Sequence, residues 1–532
     1  MYRFGLNNRD FLYVFLSTIF FFCAFPTLEL TGFIWIAFIP LFIAIRDKTP
    51  KQSFILGFLM GYGVSLTLFY WVIYTLHEFG HLPWIISVIL FLFFCTFCNI
   101  HLAIFAYLLR RFPVFSFTTP SSPLSFPKQL PAVLWIPTLF TLLEYIYPQI
   151  FNAYIGGCLY KKLWLIQIVD TTGIFGMTFL IMLINVFIYE LYLWIKKETD
   201  LFPNFSFTLA ICLLLFCGIY SYFQLDSYEE LMKSSPKIRA GLIQTNIGNF
   251  EKFKASQGSA DAIEYTKSVN EKLVLEAAKT RGLDLIVLPE TAVPVYFTPF
   301  NPSGQAEMFD LAARTNTPIA FGAYNKTQDM PPKVFNSLFL ISSHFQLLGS
   351  YDKTNLLIFG EQLPLSHLFP QLLKWFPEVG NFSRGSGPKV ISLSKELKFA
   401  PIICLEGLYP SYVRKFIRNG AQFIVTVTND SWFGPTSNPY QHRALHVWRS
   451  IENRSPMLRV ANTGISSFID LTGRILSETP IFQEKILIDE VAIIGQKSFY
   501  TQYGDVFIWV LALLWLAMIF IHFQGHIKLF RR

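Results

Sequence analysis

Charge is scarce in this chain. Only 15% of its 532 residues are Asp, Glu, Lys or Arg, where an ordinary soluble domain carries about 25%. With 53% apolar residues, 57 Phe and a mean hydropathy of +0.42, that scarcity excludes a wholly soluble enzyme and a disordered chain. Cysteine is scarce in one particular region. Of seven, Cys23, Cys95, Cys98, Cys158, Cys212 and Cys217 lie in or beside apolar runs, and Cys404 stands alone in the second half. No repeat of fixed period and no cofactor signature stands out. The net charge of +8 reports membrane topology and does not point to nucleic acid.

What is present is a series of apolar runs. A hydrocarbon core needs about 20 apolar helical residues to cross it. Seven candidate spans precede residue 225, at 11–25, 30–45, 54–76, 84–109, 130–147, 163–195 and 207–223, and an eighth covers 506–523. Lys and Arg in short loops set orientation. With the N-terminus cytoplasmic, that side receives Arg3, Arg9, Arg46, Lys48, Lys51, Arg110, Arg111, Lys128, Lys196, Lys197, Lys528, Arg531 and Arg532, and the opposite short loops receive only Lys161 and Lys162. Both termini are then cytoplasmic, and the region between the seventh and eighth spans lies outside. The domains expected are a seven-span region at 1–224, an extracytoplasmic domain at 225–504, and the eighth span with its tail at 505–532. The first run follows Arg3 and Arg9 but has no small-x-small cleavage site after Cys23-Ala24-Phe25-Pro26, which reads as an uncleaved anchor. The Pro-rich segment 112–131 reads as a cytoplasmic loop.

Ionisable residues inside spans are costly and often functional. Glu144, Asp170 and Glu190 are the candidates. Glu144 is balanced between contacting substrate and making a structural hydrogen bond.

The outer region reads as an α/β domain. Strand-like runs at 237–246, 283–289, 318–324, 336–342, 348–353, 398–404, 422–428, 457–462 and 466–470 alternate with helical patterns such as 260–279, 305–314 and 409–419. Three strand ends carry reactive groups: Glu290 after Leu288-Pro289, Lys353 after Tyr351-Asp352, and Cys404 after Ile402-Ile403. A thiol, a carboxylate and an amine suffice for acyl transfer, as nucleophile, proton carrier and oxyanion partner. A lone Cys in an oxidising exterior favours a reactive role, against the alternative of a small buried hydrophobe.

The ordered set Pro289-Glu290, Lys353 and Cys404 resembles the nitrilase superfamily of carbon–nitrogen hydrolases. The flanks are more specific. Leu288-Pro289-Glu290-Thr291-Ala292, Tyr351-Asp352-Lys353 with Phe359-Gly360-Glu361, Cys404-x-Glu406, Asn429-Asp430-Ser431-Trp432-Phe433-Gly434, Gln441-His442 and Ala461-Asn462-Thr463-Gly464-Ile465-Ser466 are similar to the bacterial apolipoprotein N-acyltransferase family. The chain departs from that family at Leu405, Asn355, Ile358 and Phe253, positions on the pocket wall.

The resemblance implies an αββα nitrilase-like domain on an eight-span α-helical bundle in the bacterial inner membrane, with the catalytic domain periplasmic. It implies a phospholipid acyl donor, a diacylglyceryl apolipoprotein acceptor, a thioester on Cys404, Glu290 as proton acceptor and Lys353 at the oxyanion. Glu361 and Glu406 would orient Lys353; Asn429, Trp432, Phe433 and Glu144 would shape the pocket. No cofactor is implied, and a monomer is expected. The apolar stretch 359–382 reads as a lid or arm touching lipid, against an ordinary core helix.

Other readings compete. His77-Glu78-Phe79-Gly80-His81 matches the H-E-x-x-H zinc pattern, which would suggest an intramembrane metalloprotease, but Gly80 and Pro83 fall where the helix should end. A membrane-tethered amide hydrolase would differ only in using water as acceptor, and a transporter with an outer sensor domain would leave Glu290, Lys353 and Cys404 unexplained. His442 and His446, four apart without a Glu, read as helix packing.

Overall fold

The structure, a computed structural model, describes residues 5–112, 132–256, 258–298, 302–363, 366, 368, 369, 371, 374 and 380–530. The expected loop at 113–131 lies outside these residues, as do Leu365, Leu372, Leu373, Trp375 and Phe376 of the expected arm. The chain divides into two units: Met1–Ile73 with Pro83–Gln224 and Asp505–Arg532, and Leu225–Gly504 with Tyr74–Leu82.

The first unit is helical. Among the described residues three helices are long and apolar enough to cross a membrane: Trp84–Arg111, Phe175–Ile195 and Asn204–Ser234. Pro50–Leu68 and Trp71–Glu78 make a fourth if the pair, bent by 57°, is one span. Thr31–Ile45, Val133–Ile146 and Val506–Ile521 are apolar but shorter. The expectation of eight continuous spans is therefore met only in part, and the breaks have local causes. Run 163–195 is interrupted at Gly173, which takes φ +64°, so its long helix starts at Phe175. Run 30–45 opens as a 3₁₀ turn, Thr31–Trp35, before Ile39–Ile45. Asn185 compensates there, accepting from Phe38 N–H at 2.9 Å and donating to Ile34 C=O at 2.9 Å. Backbone groups freed by a broken helix must find such partners in an apolar medium.

Small residues set the closest helix contact. A Cβ on Gly57 would stand 2.5 Å from Leu102 O, and one on Gly61 2.5 Å from Asn99 O. This small-xxx-small spacing lets two backbones approach directly.

Two mixed sheets form the second unit. The first contains β1 (Lys237–Gln244), β2 (Leu285–Val287), β3 (Val293–Tyr296), β4 (Ile319–Lys326), β5 (Val334–Ile341) and β6 (Leu347–Asp352). The second contains β7 (Ile391–Ser392), β8 (Lys398–Ile403), β9 (Phe423–Thr428), β10 (Met457–Ala461), β11 (Ser467–Ile469) and β12 (Ile475–Glu478). β13 (Lys485–Ala492) returns to the first sheet, whose order is β13-β1-β2-β4-β5-β6 with β3 beside β4. The second runs β12-β11-β10-β9-β8-β7.

Parallel pairing joins β1, β2 and β4 in one sheet and β8, β9 and β10 in the other. Helices Ala260–Ala278 and Pro302–Thr315 bury Leu273, Val274, Leu311 and Ala312 against Ile243, Ile286 and Phe321. β9 is buried at every residue, as a strand covered on both faces should be. Strands β3, β7, β12 and β13 were not among the expected runs. β13 begins and ends in charged or small residues and lies half exposed at a sheet edge, which weakens its apolar pattern.

Candidate active site

Parallel strands deliver functional groups at their C-terminal ends, where the backbone turns outward. Here β2, β8 and β9 deliver Glu290, Cys404 and the Asn429-Asp430 pair, and antiparallel β6 delivers Lys353. The turn at Glu290 fits only because β4 carries Gly322: a Cβ there would stand 2.5 Å from Thr291 N and 2.7 Å from Glu290 Cα. Cys404 takes φ +53° at the start of a 3₁₀ turn. A non-glycine residue in the left-handed region is strain of the kind that collects at functional sites.

These ends form one buried cluster. Lys353 Nζ lies 3.1 Å from Glu290 Oε1 and 2.8 Å from Glu361 Oε2. Asn336 Nδ2 donates to Glu290 Oε1 at 2.7 Å and Glu361 Oε1 at 2.8 Å. The Asn429 N–H donates to Glu290 Oε2 at 2.9 Å, and Lys252 Nζ donates to Glu290 C=O at 3.1 Å. Glu290 and Lys353 are 5% and 1% exposed, so these bonds work in a medium of low dielectric. Burial opposes the Lys353 ammonium, but Glu290 and Glu361 outweigh it and hold its pKa well above the ordinary lysine value. Burial pushes the Cys404 thiol up, Glu290 adds to this, and Lys353 offsets part of it. The thiol therefore holds its proton more firmly than a free cysteine does.

Glu406 bonds backbone and a tyrosine. Its Oε1 accepts from Tyr351 O–H at 2.7 Å, Thr354 N–H at 2.8 Å and Asn355 N–H at 3.1 Å, and its Oε2 accepts from Ile403 N–H at 3.1 Å. It fastens the backbone on either side of Lys353 and Cys404, whereas Glu361 touches the ammonium directly. Burial pushes the Glu406 pKa up to about 7 against these bonds.

The remaining sequence candidates are dispersed. Asn429 reaches Glu290 by its amide, while its side chain accepts from Ser431 and Asn462. The Trp432 ring stacks on Phe79 at 4.1 Å, its carbonyl accepts from Thr75 Oγ1 at 2.9 Å, and Phe433 is buried. Glu144 belongs to the helical unit, where it accepts from Ile155 N–H at 2.8 Å and Thr178 Oγ1 at 2.6 Å. Asp170 accepts from Tyr220 O–H at 2.8 Å, and Glu190 from Ser206.

Among the departures, Leu405 is buried, Ile358 is exposed, and the Phe253 side chain lies outside the described residues. Phe359, Leu368 and Phe369 of the expected arm are exposed, so a buried core helix does not describe them. The H-E-x-x-H pattern does not share one helical face: the helix ends at Glu78 and His81 takes φ +48°.

Sequence reasoning missed Asn336, Lys252 and Arg459, the last of which donates through Nη2 to Asp430 Oδ2 at 2.9 Å. Two left a signal. Asn336 interrupts the apolar run of β5, and Arg459 that of β10. A polar group in a buried strand needs a partner and so points to one.

Comparison with known proteins places the whole chain in a family. Residues 239–494 match the carbon-nitrogen hydrolase family, and residues 17–187 match the apolipoprotein N-acyltransferase N-terminal domain. The apolipoprotein N-acyltransferase of Geobacter metallireducens is 34% identical over 512 residues, covering 95% of this chain and 94% of that protein. That of Bdellovibrio bacteriovorus is 32% identical, covering 84% and 81%, and that of Chlorobaculum tepidum is 30% identical, covering 70% and 74%. The chain belongs to the apolipoprotein N-acyltransferase family.

Proposed function

We propose that this acyltransferase moves a fatty acyl chain from a phospholipid to the N-terminal α-amine of a diacylglyceryl apolipoprotein by way of a thioester on Cys404. Glu290 takes the thiol proton as sulfur attacks the ester carbonyl, and Lys353 stabilises the oxyanion that forms. Collapse breaks the ester bond, and Glu290 returns the proton to the departing lysophospholipid oxygen. The acceptor amine then attacks the thioester and Glu290 takes its proton. The amide forms as Cys404 leaves, regaining a proton. A thioester is reactive enough to acylate an amine without ATP. One nucleophile serves both substrates in turn.

The observation that carries this reading is the buried cluster in which Lys353 and Asn336 hold Glu290 beside Glu361, with Cys404 subject to the charges of Glu290 and Lys353. Glu361 fixes the ammonium and Glu406 the loop that bears it. Asn429 orients Glu290 through its amide, and Trp432 and Phe433 follow it on one turn. The membrane part makes eight crossings, only three of them through the long apolar helices Trp84–Arg111, Phe175–Ile195 and Asn204–Ser234. The domain at 225–504 lies on the periplasmic side of the inner membrane with both termini cytoplasmic, and the enzyme acts as a monomer. The one-sided distribution of Lys and Arg supports this topology.

The test is transfer of a labelled acyl chain from phospholipid to a diacylglyceryl peptide by the membrane-embedded Cys404→Ala and Glu290→Gln variants. Both are expected to lose transfer by at least about 100-fold. Undiminished transfer by Cys404→Ala would remove the thioester from the scheme.

A further inference from the structure

Behind the reacting groups lies a second buried ionic cluster that the scheme above does not use. Asp430, His442 and Arg459 sit on three elements: the 3₁₀ turn Asp430–Phe433, the helix Asn438–Asn453 and β10. Asp430 and Arg459 are fully buried and His442 nearly so. Arg459 Nη2 donates to Asp430 Oδ2 at 2.9 Å, and His442 Nδ1 lies 2.8 Å from Asp430 Oδ1. Nδ1 also lies 3.2 Å from Arg459 Nη2, and with the carboxylate oxygen the nearer partner we assign the tautomer with the proton on Nδ1. Burial alone would raise the Asp430 pKa; Arg459 and then His442 reverse this and hold it well below the carboxylate range.

Room for the cluster is built in. A Cβ on Gly464 would stand 2.1 Å from Asp430 Oδ2. Buried ionic groups are expensive to assemble, so their retention calls for a reason beyond stability.

Their connections suggest one. Thr428 Oγ1 donates to Asp430 Oδ1 at 3.0 Å, and Thr428 stands one step past the paired residues Ile403 and Val427 of β8 and β9, level with Cys404. The next residue, Asn429, gives its N–H to Glu290 Oε2. Asp430 therefore anchors the end of β9, which lies beside Cys404 and bonds Glu290.

We infer that Arg459, Asp430 and His442 are positioning residues for acyl transfer, clamping Thr428 against Cys404 and Asn429 against Glu290. This rests on the reading of Glu290 and Cys404 as base and nucleophile. The clamp works through the Nδ1–H bond of His442; Nε2 is buried with no hydrogen-bond partner among the described residues.

The experiment is single-turnover acylation of Cys404 by phospholipid in membrane-embedded His442→Ala, His442→Asn, Thr428→Val and Glu290→Gln. Asn places an N–H donor where Nδ1 stood; Ala removes it. His442→Ala is expected to acylate at least about tenfold more slowly with the phospholipid KM changed less than about twofold, and His442→Asn to recover to within about threefold of the parent. Thr428→Val keeps the ionic cluster and its volume but cuts the bond that ties the end of β9 to Asp430, and is expected to slow acylation similarly. The proposal is overturned if His442→Ala acylates at the parent rate, if the loss lies in KM, or if His442→Asn falls as far as His442→Ala. Should His442→Ala fail to fold, Thr428→Val decides: a parent rate there overturns the clamp. Glu290→Gln separates the two claims, because rapid acylation by that variant sinks the general-base reading whatever the other variants do.

Discussion

Asn336 stands between two carboxylates, giving Nδ2 to both Glu290 and Glu361. Removing one partner from buried polar groups costs about 1–3 kcal/mol for each group left unsatisfied. Asn336→Ala should therefore slow acylation of Cys404 by about tenfold or more while also lowering the melting temperature, measured on the purified enzyme in detergent. Asn336→Asp places a third carboxylate against the pair and should be worse than Ala, since like charges at this range repel strongly. Glu406 gives a pH test. Its folded pKa of about 7 lies above the unfolded value near 4.5, so the folded state binds the extra proton between those values. Stability from this group is present below the lower value and is lost as pH rises through the upper one, by about 3 kcal/mol. The melting temperature of Glu406→Gln minus that of the parent should accordingly rise between pH 4.5 and 7. A difference flat across that range would contradict the assignment.

At the scale of elements, a glycine on a neighbouring strand governs the geometry of Glu290. Gly322→Ala should push the Glu290-Thr291 turn away from β4, since the new methyl would meet backbone atoms that cannot swing aside. Acyl transfer should fall at least about tenfold, with phospholipid binding retained as measured by KM. Parent-like transfer would mean that the turn is not held there. Elements also show what was legible in the chain. Leu288-Pro289-Glu290 and Ile403-Cys404 read as strand ends because apolar runs stop abruptly at a reactive residue. The α/β character followed from β-branched runs separated by helical ones. β13 was not legible, because an edge strand pairs on one side only and needs no apolar run. Nor were the helix breaks at Phe69-Tyr70 and Gly173, since an apolar run records length and says nothing of a bend inside it. His442 was read as packing because its partner Asp430 is 12 residues away on another element; its role is tertiary and leaves no periodic trace.

For the whole molecule, the scheme requires the α/β domain and the short basic loops to face opposite sides of the membrane. Asp329, exposed on the domain, and Lys197, exposed between two apolar helices, report on the two sides. A membrane-impermeant maleimide should label Asp329→Cys in intact spheroplasts and label Lys197→Cys only after permeabilisation, above the background of the parent. The reverse pattern would invert the topology. The account as a whole depends on one covalent species. Purified enzyme incubated with phospholipid alone should yield a Cys404 peptide heavier by one fatty acyl group, the adduct vanishing on treatment with hydroxylamine or a diacylglyceryl peptide. An unmodified Cys404 peptide from enzyme that still releases lysophospholipid and acylates the acceptor would contradict it.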